Sequence, residues 1–295
     1  EVALAIGAEK MSNEDRTKPI KALETAADVE ELEALKARIS PDSSGTGSVF
    51  MDLYSSVARD YMVTSGATAE DFAQISVKQR HAGALNPIAQ FRADVDIEEV
   101  LTSRMIADPI TLMMCSSIGD GAAALVVMSE AAAARRNIQP VQILACEIRS
   151  GQGDDPDALP VATAASRGAF EAAGLGPEDL SVVELHDAAA PAELILSEQL
   201  GLCAPGEAVS LLYSGRTALG GAMPINPSGG LISKGHPIGA TGAAQLVELA
   251  DQLRGRAGSR QVPGARIGLA ENGGGWIGDD AAAAVVTILS ATAQH

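Results

Sequence analysis

The stretch DGAAALVVMSE (Asp120–Glu130) returns in altered form as DDAAAAVVTIL (Asp279–Leu289). ALAIGAEK (Ala3–Lys10) likewise returns as RIGLAENG (Arg266–Gly273). In each pair a strand-like run ends in a turn, and an Ala/Val-rich strand follows. A duplicated unit of this kind restricts the chain to two related halves. Between these pieces apolar strand-like runs alternate with amphipathic helix-like ones, the pattern of an α/β fold.

The second half reads in full. A strand in PVQILACEI is followed by a helix in PVATAASRGAFEAAGL, a strand in SVVELHDAA and a helix in PAELILSEQLG. A glycine-rich segment, a helix to about Leu253 and two strands, ARIGLAEN and AAAAVVTILS, complete it. The first half opens directly on EVALAIGAEK. This reads as a buried strand rather than a secretory leader, because no basic residue precedes its apolar run. Comparison with the second half places the start in mid-unit, with Glu1 expected on a central strand. Residues Met11 to about Asp60 are polar, hold an SSGTGS turn and read as an excursion from the core. SGATAEDFAQISVKQRHAGALN then reads as a helix with Thr68 as N-cap.

Composition removes several function classes. The net charge of −17 disfavours nucleic acid and anionic membranes as partners, since both need a basic surface. No apolar run approaches the ~18–20 residues of a membrane span. Cys115, Cys146 and Cys203 are scattered, show no metal-ligand spacing and fit a reducing, cytoplasmic setting. Their contexts suggest structural roles rather than nucleophiles. GGGWIG (Gly273–Gly278) formally matches a dinucleotide fingerprint, but a short strand follows it where the motif needs a helix. His186, Asp187 and His236 lack the spacing of a helical metal site, and no metal is expected.

Four segments together carry a resemblance: NPSGGLISKGHPIGATGAAQ, VELHDAAAPAE, SRMIADPITLMMCSSIGDGAAALVV and the opening GAEKMS. In order and content the chain resembles the thiolase superfamily, in particular its sterol-carrier-protein-type branch. The likeness covers nearly the whole sequence. It implies two pseudo-symmetric α/β halves, 1–135 and 136–295, with a loop domain inserted in the first at about 13–75. It also implies acyl-CoA substrates with no covalently bound cofactor, a homodimer or homotetramer, and a small partner protein as an option. The family's nucleophilic cysteine lies upstream of the GAEKMS-type strand.

The resemblance assigns roles to named positions. His236, in KGHP, becomes the base that takes a thiol proton and then hydrogen-bonds a thioester oxyanion. The glycines around it allow backbone and substrate to approach closely. His186, in LHDA, falls where the family holds a water in an oxyanion hole. Asp187 either orients its neighbour or caps the next helix. Gly274 offers a backbone N–H. Two positions depart from the family pattern: Asn272 and Ala188 stand where members carry an acid/base cysteine. The sequence therefore implies carbon–carbon bond chemistry on acyl-CoA thioesters, of thiolase type or as an aldol-type cleavage of a 3-hydroxyacyl-CoA. A subunit without chemistry that binds acyl-CoA or acts as a scaffold is the other reading.

Overall fold

The computed structural model describes residues 1–15, 17–39, 45, 46, 48–138, 140–153, 155 and 157–291. Strand β1 (Val2–Glu9) pairs antiparallel with β4 (Gly121–Met128), Val2 opposite Met128 and Glu9 opposite Gly121. Between them lie helices α1 (Thr17–Glu24), α2 (Leu32–Ile39), α3 (Val49–Ser65), α4 (Ala69–Ala84) and α5 (Ile97–Thr102). A small hairpin, β2 (Met105–Ala107) with β3 (Ile110–Thr111), follows α5. Helix α6 (Glu130–Arg135) then leads into β5 (Val141–Ser150).

The remaining elements are α7 (Val161–Ala173), β6 (Val182–Glu184), α8 (Pro191–Gln199), α9 (Ala208–Tyr213), α10 (Gly230–Ser233), α11 (Ile238–Leu253), β7 (Ile267–Gly274) and β8 (Ala283–Ala291). They build a sheet in the order β5-β8-β7-β6, in which only the β6–β7 pair is parallel.

Helix α11 lies between the two layers, packing on β1 and β4 on one side and on β6 and β7 on the other. Its first turn meets the β1–β4 ribbon through small residues. A Cβ on Gly7 would collide with the Gly239 carbonyl and come within 2.9 Å of Ala240 Cα. Gly7→Ala must therefore push the ribbon off α11. It is expected to cost about 1–3 kcal/mol, the usual range for overpacking, read as a lower midpoint of urea unfolding.

Thr68 caps α4 as its position predicts. Its hydroxyl accepts the Asp71 N–H while Asp71 returns a bond to the Thr68 N–H, a reciprocal capping box.

One expectation is corrected, that the opening strand is buried, and the inserted stretch shows more structure than its polar sequence suggests. The polar stretch from Met11 to Asp60 holds a small core of its own, in which Leu35, Ile39, Val49 and Leu53 pack with Trp276. Within its SSGTGS motif, residues 43, 44 and 47 lie outside the described residues. Strand β1 is not buried: among the described residues it pairs with β4 alone, and Val2, Leu4 and Ile6 are exposed.

The glycine-rich turn after β7 crosses to this small core. Trp276 donates its backbone N–H to the Ala26 carbonyl at 2.9 Å, and its indole N–H bonds the Gly278 carbonyl. A cleft of about 180 Å³ between this turn and α2 is lined by Leu35, Arg38 and Trp276, among others. No helix follows GGGWIG, and β8 begins at Ala283.

Candidate active site

His186 and His236 come from segments fifty residues apart and meet edge to face, their ring centroids 4.9 Å apart and their planes at 78°. His186 stands second in the LHDA segment just after β6, and His236 stands in the turn between α10 and α11. The 115–118 segment joins the two. Ser116 donates its N–H to the Ala188 carbonyl at 2.9 Å, and His236 donates its own to the Ser117 carbonyl at 3.3 Å.

The tautomer of His236 follows from its neighbours. Thr241, one helical turn into α11, donates its hydroxyl proton to the Pro237 carbonyl at 3.1 Å. The same oxygen lies 2.8 Å from His236 Nδ1, and with its own proton on the Pro237 carbonyl it accepts there, an arrangement that assigns the ring proton to Nδ1. Nε2 is left with a free lone pair. Burial, followed by the neighbouring His186 ring and then the Lys234 charge, holds the His236 pKa far below its ordinary value. Burial and Lys234 also lower His186, to about 4. Both rings are therefore neutral near pH 7, and each keeps a partly accessible surface. A neutral imidazole with an open Nε2 is competent as a proton acceptor.

Beneath the imidazoles is a layer of buried acids. Glu271 accepts the His186 N–H at 3.1 Å, and burial pushes its carboxyl up to about 7. Glu184 takes two bonds from Ser228 and is also raised to about 7, first by burial and then by Glu248. Asp187 does not cap α8. Its Oδ1 accepts the Leu231 N–H at 2.7 Å, and its enclosed Oδ2 has no hydrogen-bond partner among the described residues. Gly230, at φ 58°, must be glycine because a Cβ there would strike this carboxyl.

Glu271 makes a stability prediction. Its folded pKa of about 7 lies above the ordinary value of 4.5, so the folded state binds the extra proton between those values. Stability from this group is full below pH 4.5 and declines as pH rises through 7. Glu271→Gln keeps the acceptor without ionising. Its stability relative to wild type is expected to rise by roughly 3 kcal/mol between about pH 4 and pH 8, measured by urea unfolding at both ends.

Asn272 lies beside the same helix. Its side-chain amide donates to Gln245 Oε1 at 3.1 Å, and Gln245 in turn donates to the Glu271 carbonyl at 2.9 Å. Gly242, next to Thr241, faces Asn272. Gly274 is two residues further along β7, on the same strand face as Asn272, with open space where a side chain would stand. Ala188 is buried.

Of the thiols, Cys115 and Cys203 are pushed up to about 12 by burial. Cys146 is exposed on β5, two strands away from β7. Among the described residues no group of three or more His, Cys, Asp or Glu could hold a metal ion.

Sequence reading did not single out Thr241, Gln245 or Glu271. The spacing Pro237–Thr241, one helical turn apart at the start of an apolar helix, was the available signal for the first. The other two act across the fold and leave no local mark.

A family model described as "Thiolase C-terminal domain-like" matches residues 149–290. The chain is 39% identical over 280 residues to an acetyl-CoA acetyltransferase of Methanothermobacter thermautotrophicus, covering 93% of this chain and 70% of that protein. It is 42% identical over 230 residues to sterol carrier protein 2 of Bos taurus, covering 75% of this chain but 42% of the relative. The chain thus spans less than half the length of that relative. Among solved structures, an Ltp2–ChsH2(DUF35) aldolase superposes with a TM-score of 0.79 at 25% identity, over all of this chain and 74% of the other. The fold and the meeting of KGHP with LHDA define a thiolase-like α/β protein. This chain belongs to the thiolase superfamily.

Proposed function

We propose that the protein binds an acyl-CoA thioester and makes or breaks the carbon–carbon bond beside its carbonyl. The observation that carries this reading is the pair of neutral imidazoles, His236 with Nε2 open and His186 facing it at 4.9 Å. His236 acts as the base. His186 holds a water against the thioester oxyanion, the Gly274 N–H supports the same oxygen, and Asn272 positions rather than transfers protons. The names of the relatives, an acetyl-CoA acetyltransferase among them, support acyl-CoA as the substrate class and an acyltransferase-type enzyme as its kind. The proposed halves remain 1–135 and 136–295, with the insertion at about 13–75.

Within this reading, Ala188 and Asn272 favour an aldol-type cleavage over thiolysis, because neither residue has a titratable proton. The likeness to an aldolase points the same way. In such a step His236 Nε2 takes the 3-hydroxyl proton and C3–O becomes a carbonyl. The C2–C3 pair moves onto C2 and the thioester oxygen, and His236 returns to C2 the proton it took from the hydroxyl, releasing a shortened acyl-CoA with an aldehyde or ketone. The name of that aldolase joins Ltp2 to a DUF35 component, ChsH2, which supports a small partner here beside a homo-oligomer. A reducing, cytoplasmic setting suits the three free thiols.

The test is to incubate the full-length protein with a 3-hydroxyacyl-CoA, and separately with a 3-oxoacyl-CoA plus CoA, and to follow products by mass spectrometry. Carbonyl product and shortened acyl-CoA from the first, with slow turnover of the second, is the expected result. Binding of both thioesters without cleavage of either would overturn the enzyme reading in favour of an acyl-CoA-binding or scaffold subunit.

A further inference from the structure

In a chain of net charge −17, residues 72–93 contain Lys78, Arg80, His81 and Arg92 and no carboxylate. Two of these charges are matched: Lys78 pairs with buried Glu193, and His81 faces Asp94 at 3.0 Å. The other two are not. Arg80 is 8% exposed, makes no ion pair among the described residues, and its Nε is enclosed without a hydrogen-bond partner. Its guanidinium lies 4.1 Å over the Phe91 ring. Burial alone lowers its pKa, with no carboxylate opposing the shift. Arg92 is exposed and, among the described residues, hydrogen-bonds the Pro87 carbonyl alone. An isolated buried guanidinium is costly unless an anion or a polar group compensates it.

This segment borders the candidate active site. Phe91 exchanges two bonds with Ser233, through its N–H at 3.0 Å and its carbonyl at 2.8 Å. Gln90 donates its N–H to the Lys234 carbonyl, and its side chain accepts from Ser117 at 2.6 Å. Lys234 makes no ion pair among the described residues, and its charge acts on both imidazoles and on the buried Glu184 carboxyl. A strip of cations therefore runs from Lys234, at the imidazoles, past Gln90 and Phe91 to Arg80 and Arg92, the last two without an ion pair among the described residues.

We infer that this strip binds the phosphate end of the CoA thioester whose carbonyl lies at His186 and His236. The inference rests on the acyl-CoA reading given above and assigns its anion contacts. Guanidinium groups suit phosphate because their planar N–H fork pairs with two oxygens at once. The strip also gives an otherwise acidic protein a local attraction for a polyanion, which added salt weakens.

The test measures binding without turnover, by titration calorimetry of the full-length protein with CoA, 3′-dephospho-CoA and pantetheine. CoA is expected to bind more tightly than pantetheine, with an advantage that shrinks as salt is raised. Arg80→Gln and Arg92→Gln are each expected to weaken CoA about tenfold and to leave pantetheine unchanged. Dephospho-CoA separates the two phosphate sources. A variant that loses no affinity for it contacts the 3′-phosphate, and one that loses as much as with CoA contacts the diphosphate. Because Arg92 is exposed, its variant carries the test even where Arg80→Gln disturbs folding. Equal affinity of wild type for CoA and pantetheine would overturn the inference. So would wild-type CoA affinity in both variants, including the case where Arg80→Gln lowers the melting temperature because Arg80 pairs elsewhere in the full chain. A protein that binds CoA through this strip yet cleaves neither thioester refutes the proposed reaction and leaves the strip intact.

Discussion

His236→Ala in the full-length protein is expected to lower kcat for carbon–carbon bond cleavage by about 100- to 10,000-fold, the usual contribution of a positioned acid–base group. KM should move little, because the imidazole acts on the reacting proton rather than on the body of the substrate. The residue keeps a partly accessible surface, so truncation leaves no sealed cavity and the melting temperature should stay close to wild type. Thr241→Val is the companion variant. It removes the acceptor at 2.8 Å that holds the Nδ1 proton, and so frees His236 to adopt the wrong tautomer. Its loss should be smaller and confined to kcat. Steady-state kinetics on a 3-hydroxyacyl-CoA checks both, and a kcat for His236→Ala within about threefold of wild type would remove His236 from the chemistry.

Asn272→Cys is expected to move activity in the opposite direction. Thiolysis of a 3-oxoacyl-CoA needs a group that removes and returns a proton at the α-carbon. Neither Asn272 nor Ala188 can supply one. A thiol, with an ordinary pKa of ~8.5, can pass a proton either way near neutrality. The substitution keeps the side chain small, but leaves Gln245 Oε1 with a weaker donor in place of the amide at 3.1 Å. A stability loss of about 1 kcal/mol from that bond is tolerable. CoA-dependent cleavage should rise about 100-fold or more over a slow wild type. Efficient thiolysis by wild type, unchanged in the variant, would show that another residue carries the proton.

What the sequence displayed and what it concealed divide by range. The alternation of strand and helix, the Thr68 cap and the recurrence of paired strands depend on near neighbours, and they are visible in short runs of residues. The small core under Trp276 was hidden because Leu32, Leu35 and Ile39 are spaced for a helix within a highly charged stretch and never form an apolar run. The two histidines were legible through their motifs. Their supports were not. Glu271 reaches His186 across 85 positions, and Asp187 reaches Leu231 across 44, so neither bond has a local signature. For Asp187 the local rule, a polar residue just ahead of a helix, pointed to capping; the fold instead used the carboxyl to receive the turn that carries Gly230. The expectation for β1 failed for a related reason. An apolar strand pattern indicates that faces are to be covered, but not by which element, and here α11 covers one of them.

The turn that begins just beyond Asn272 also holds the only indole in the molecule. Trp276 is tied at its backbone to Ala26 and packs among the apolar side chains of α2 and α3, while the strand that precedes it carries Asn272 and Gly274. The intrinsic emission of the protein therefore reports on one seam, where the inserted helices meet the four-stranded sheet. A shift of its wavelength on adding ligand would register movement at that seam without any label.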